Sequence, residues 1–165
     1  MAILFKKVRT NFLEFIPLLL LFFISLNGNS IIDFNFFSIN VHYILVYYWV
    51  LRRPGSLGYG FIFLSGIISD VIFGFPIGST SLSLLVVATV ATYVRVVTVR
   101  ISLVNDWVSF LPALLLASFF YYMALHFSGY PTDYIYLIKN SFFTFIFYPV
   151  LWSIFYFISN IMKNN

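Results

Sequence analysis

The charged residues of this chain are so few, and so placed, that they cut it into apolar blocks, and that spacing leaves few ways for it to fold. Lys6, Lys7 and Arg9 precede a block over residues 12–26, which ends at the polar run Asn27-Gly28-Asn29-Ser30. A second block covers 36–51 and stops at Arg52-Arg53-Pro54. The third, 55–73, is rich in Gly and Ser and runs into Gly74-Phe75-Pro76-Ile77-Gly78, a tight turn by its Pro and Gly punctuation. The fourth, 79–94, meets Arg95, and a mildly polar stretch with Arg100, Asn105 and Asp106 follows. The fifth, 107–127, is broken by Ser128-Gly129-Tyr130-Pro131-Thr132-Asp133, and the sixth runs over 141–161.

Composition decides what such blocks mean. Charged residues make up 8% of the chain, against about 25% in soluble domains, while 62% are hydrophobic and 22% aromatic. Fourteen charges among 165 residues do not clothe a water-facing surface, which excludes a soluble enzyme and a disordered segment. The net charge of +4 is not gathered in a solvated patch, which excludes a nucleic-acid binder. What remains is a small integral membrane protein with lipid around most side chains. A spanning helix needs roughly 20 residues, so the length admits about six or seven spans and no large soluble domain. The absence of cysteine excludes disulfides, Cys-ligated zinc and iron–sulfur clusters.

The expected fold is therefore a single all-α membrane domain over 1–165 with six transmembrane helices and both termini cytoplasmic. The positive-inside rule agrees with that count. With the N-terminus inside, Lys6, Lys7, Arg9, Arg52, Arg53, Arg95, Arg100 and Lys163 fall on the cytoplasmic side and only Lys139 outside, eight of nine cations. The first block is read as a span and not a cleaved signal, because Glu14 and Pro17 interrupt it and no A-x-A-like site follows. Several blocks are short enough to match a thin or locally pinched bilayer.

Residues 47–81 carry the most information. Asp70 lies inside an apolar span, where an unpaired charge is costly. Gly66, Asp70, Gly74 and Gly78 recur every four residues, and positions four apart share a helix face, so the third span presents a narrow polar stripe that lets another helix approach closely. Asp70 has two readings: it organises a polar functional site at that contact, or it caps backbone N–H groups at the turn or at the start of the fourth span. Arg52-Arg53-Pro54 reads as a cytoplasmic hairpin held at the lipid headgroups, or as a docking point for a partner. His42 and His126 read as interfacial histidines with solvated rings; no HxxxH or HExxH spacing exists, and no metal site is expected. Trp49, Trp107 and Trp152 fall near span ends as an aromatic belt. The outer loop carries Tyr130, Tyr134 and Tyr136 as candidate contacts for an external partner. Glu14, Asp33, Asp106 and Asp133 fall near interfaces or loops, and no Ser–His–acid set assembles. GSLGYG contains G-x-x-G-x-G, but it opens a membrane helix with no preceding strand, so a dinucleotide site fails.

The set Trp49, Pro54, Gly60, Phe61, Gly66, Asp70, Gly74 and Gly78 resembles the core of the rod shape-determining protein MreD family: an aromatic-rich span, a proline turn, a Gly-rich span with an aspartate, and a short Gly turn. The likeness covers about 35 residues, and Arg52-Arg53 departs from the weakly charged turns of that family. The resemblance implies a fold similar to the substrate-binding subunits of ECF-type transporters and a place in the bacterial cytoplasmic (inner) membrane. It implies no enzyme activity and no cofactor. It implies an MreC-like single-span protein as partner and, through it, MreB filaments, the polymerase RodA and its partner transpeptidase, with regulation of cell shape and peptidoglycan synthesis as the role. The alternative is a small-molecule, vitamin-type binding subunit of a transporter, with Asp70, His42 and the outer tyrosines lining a pocket.

Overall fold

A computed structural model describes residues 15–27, 31–33, 38–98, 102–131 and 133–164. Lys6, Lys7, Arg9, Glu14 and Arg100 lie outside the described residues, as do the side chains of Asp33, Tyr134 and Lys163. Among the described residues six helices and one hairpin follow the expected blocks: α1 (Ile16–Leu26), β1 (Ile31–Asp33), β2 (Ser38–Asn40), α2 (Val41–Arg52), α3 (Tyr59–Phe73), α4 (Ser79–Val97), α5 (Leu103–Phe127) and α6 (Tyr134–Asn164). Of these, α4, α5 and α6 are long and apolar enough to cross a membrane. They carry exposed apolar side chains such as Val96, Phe119, Phe142 and Phe157, which points to a membrane protein.

The helix ends follow the punctuation. Gly58 precedes α3, and Gly74 closes it in the left-handed conformation (φ 68°), where a side chain is disfavoured. Gly78 (φ 99°) opens α4. Ser102 caps α5 by accepting the Asn105 amide at 3.2 Å. Helix α3 buries Ile62, Ser65, Gly66, Ser69 and Asp70, a single stripe at helical spacing.

The second block departs from expectation. It does not form a helix over 36–51: residues 38–40 are a strand antiparallel to β1, with Ile31 opposite Asn40 and Asp33 opposite Ser38. The helix starts at Val41, where Asn40 accepts the Tyr43 amide at 3.2 Å. Every residue from Val41 to Leu51 is buried, so α2 is the centre of the bundle and not one of its lipid-facing walls. At 1.5 Å per residue its 12 residues reach only about 18 Å. Strand β2 adds about 10 Å in line with it. The strand and helix run beside α6 in the same direction. Asn140 donates to Ser38 at 2.9 Å, the Asn40 amide donates to Thr144 at 2.8 Å, Tyr48 packs edge-on against Trp152, and Arg53 donates to the Ser159 carbonyl at 3.0 Å. The composite reaches about 28 Å, close to the ~30 Å hydrocarbon thickness.

The helices alternate in direction. The C-termini of α2, α4 and α6 and the N-termini of α3 and α5 gather at one end, the arginine end; the hairpin lies at the other.

Candidate functional site

Polar groups concentrate at three places. The first is the turn between α3 and α4. Asp70 Oδ2 accepts the Gly78 amide at 2.7 Å, and Oδ1 accepts the Thr80 amide at 3.0 Å and the Ser79 hydroxyl at 3.1 Å. A fully buried carboxylate thus sits over the first turn of α4, where free N–H groups and the helix dipole both favour negative charge. Of the two readings of Asp70, this is the geometry of the cap. The same helix pair is closed by Gly66. A Cβ there would lie 2.6 Å from the Ser81 amide nitrogen and 2.7 Å from its hydroxyl, and Ser81 donates to the Phe63 carbonyl at 3.0 Å. The small-residue stripe is therefore the α3–α4 contact.

The candidate motif residues accordingly separate into two groups. Trp49, Gly66 and Asp70 point into the protein, and Gly74 and Gly78 shape its backbone. Pro54, Gly60 and Phe61 are exposed on the outside of the same unit; a Cβ on Gly60 would meet nothing within 4 Å, and Phe61 is 48% exposed beside Phe22. Of the outer-loop tyrosines, Tyr130 packs edge-on against Phe75 at 5.5 Å, joining that loop to the α3–α4 turn, and Tyr136 is half-buried.

The second place is the arginine end, where one expectation is corrected and two charged groups gain protein partners. Asp106 is not a solvent-facing charge. Helix α5 starts at Leu103 and not at 107, which puts Asp106 in its first turn, 3% exposed. Arg52 donates to its Oδ2 from Nε at 3.1 Å and from Nη2 at 2.6 Å, and Trp152 Nε1 donates to the same oxygen at 3.1 Å. Arg52 and Arg53 both have protein partners. Arg52 is held by Asp106 and lies over the Trp152 ring, Arg53 donates to the Ser159 carbonyl, and Arg95 donates to the Val50 carbonyl at 3.1 Å. Carbonyls near helix C-termini, the negative end of the helix dipole, attract these cations. Trp49 is not part of an aromatic belt; it is fully buried because α2 is encased. The signal in the sequence for Asp106 is Ser102 four residues before it, a helix-start pattern that moves the boundary back.

The third place is a small cavity of about 50 Å³ at the hairpin end, lined mostly by polar side chains from β2, α2, α4, α5 and α6. His42 is part of that lining, 1% exposed, so it is not a solvated interfacial ring; His126 is exposed. Among the described residues no three His, Asp or Glu side chains cluster in a way that would hold a metal.

Compared with known proteins, the chain matches no family model, no curated protein and no solved structure.

Proposed function

We propose that this chain is a non-enzymatic, multi-pass component of the bacterial inner membrane that acts in the rod-shape and peptidoglycan elongation machinery. On this reading it crosses the membrane six times, with the arginine end in the cytoplasm. It binds an MreC-like single-span protein and is linked through it to MreB filaments, RodA and the partner transpeptidase. One observation carries the proposal: within the ordered set, Gly66, Asp70, Gly74 and Gly78 form one helix–turn–helix unit of α3 and α4. Its inward members lock α3 to α4, while Pro54, Gly60 and Phe61 stay outside, available to a partner. A transporter subunit binding a vitamin-type molecule fits less well: the cavity that His42 lines is about 50 Å³, several-fold below the ~300–1,000 Å³ of small-molecule sites, and the larger groove between α5 and α6 is lined by neither His42 nor Asp70.

The test is co-expression with the MreC-like protein of the same cell and purification in detergent. The two proteins are expected to co-purify. The Phe61→Ala variant is expected to lower recovery of the partner without moving the melting temperature. Recovery of the folded chain with no MreC-like partner under any mild detergent would sink the proposal.

A further inference from the structure

The polar cavity at the hairpin end shares a wall with a second space. A groove of about 440 Å³ runs between α5 and α6 on the outside of the bundle, within the range of small-molecule sites. Leu115, Phe119, Ile138 and Phe142 line it, each more than half exposed, so it opens where lipid surrounds the protein. Ser118, Tyr122 and Ser141 line both spaces. The Ser118 and Ser141 hydroxyls lie 3.0 Å apart, a polar seam joining α5 to α6 between an apolar groove and a polar cavity.

Behind that seam one group lacks a partner. Ser25 donates its hydroxyl to the Leu21 carbonyl at 2.9 Å, so in its 3.3 Å contact with His42 Nε2 the serine oxygen accepts. With the ring proton on Nε2, the tautomer that suits this contact, Nδ1 is a lone-pair acceptor, and it has no partner among the described residues. A buried polar atom of this kind normally holds a donor. The cavity has room for about three to five water-sized groups. No Lys or Arg lines it, so an anionic head finds no counter-charge there.

We propose that groove and cavity form one binding site for a neutral amphiphile. The hydrocarbon tail lies in the groove. A hydroxyl head the size of an alcohol or a glycerol passes the Ser118–Ser141 seam and donates to the His42 acceptor. A fatty alcohol or an acylglycerol has this chemistry. A phosphate-headed lipid does not, because its negative charge would meet no Lys or Arg in the cavity. The inference rests on the chain being embedded in a membrane and not on its role in cell shape.

The full chain in phosphatidylcholine nanodiscs is photolabelled with a diazirine-bearing hexadecanol and mapped by mass spectrometry. Saturable labelling is expected on peptides from residues 111–122 and 138–145, competed by hexadecanol but not by hexadecane or hexadecanoate. Leu115→Trp fills the groove from its exposed face and is expected to abolish the saturable component. His42→Phe removes the acceptor and is expected to weaken hexadecanol about tenfold, the loss of one hydrogen bond to a buried group. Should His42→Phe fail to fold, Ser118→Leu closes the seam and has the same expected effect. Labelling that rises linearly with probe, that hexadecane or hexadecanoate competes equally, or that Leu115→Trp leaves unchanged overturns the proposal. None of these readouts involves an MreC-like partner, so the two proposals fail separately.

Discussion

Arg52, the last residue of α2, and Asp106, in the first turn of α5, meet with a guanidinium nitrogen 2.6 Å from a carboxylate oxygen, across 54 residues of sequence. Trp152 of α6 supplies a third donor to that oxygen. Three elements are thus tied at one point inside an otherwise apolar bundle.

A buried pair of this kind is costly to break and cheap to replace as a unit. Asp106→Ala strands the Arg52 charge and the Trp152 N–H and is expected to cost about 3–5 kcal/mol. The double variant Arg52→Met, Asp106→Leu is expected to recover most of that. Thermal melting in detergent reads both; a double variant no more stable than Asp106→Ala would show that the pair does not act as a unit.

Two glycines of α3 are expected to respond oppositely to the same change. Gly66→Ala pushes a methyl into the Ser81 backbone, which has no flexible end to move aside, and is expected to destabilise by about 1–3 kcal/mol. Gly60→Ala meets open space and gains up to about 1 kcal/mol from helix propensity. Equal melting temperatures for the two variants would remove the close contact from the account of α3 and α4.

Asp70 accepts from two amides and a hydroxyl and donates to nothing. Asp70→Asn keeps one acceptor oxygen and turns an NH₂ toward an N–H, for an expected loss of about 1–3 kcal/mol. Asp70→Leu removes both acceptors and is expected to lose more. Proteolysis at the α3–α4 turn checks this ranking, and an Asn variant as resistant as the parent would contradict the cap.

Truncations on α2 and on the outer wall are expected to differ widely. Leu45→Ala opens a cavity in the centre of the bundle, at about 2–5 kcal/mol. Leu116→Ala trims a lipid-facing side chain, 45% exposed, and is expected to stay within about 0.5 kcal/mol. Similar losses at the two sites would mean that α2 is not encased.

The stops of α2, α3 and α5 and the start of α4 were legible in the sequence, because Pro54, Gly74, Gly78 and Gly129 stop or turn a chain by local backbone chemistry; α5 and α6 start at Leu103 and Tyr134, ahead of the expected 107 and 141. The Gly66 contact was legible too, since small residues four apart mark a face. The hairpin was not: strands of three residues are shorter than any periodic pattern. Nor was the burial of α2, because a helix covered on all sides has no polar face to show a period. The burial of Asp106 and its pairing with Arg52 were not legible for a different reason. A charge within a mostly apolar chain reads as a boundary, and only a partner 54 residues away makes it an interior group.

The central position of α2 sets an order of events at biogenesis. Its 12 residues, ending in Arg52 and Arg53, are too short and too charged at one end to settle alone in a bilayer. Yet the side chains that receive them, Ser109 and Phe110 of α5 and Tyr148, Trp152 and Phe155 of α6, are synthesised after them. The core of this protein is therefore made early and housed last. A chain stopped before Tyr134 has every element except the wall its centre leans on, and quality-control proteases would be expected to find it there.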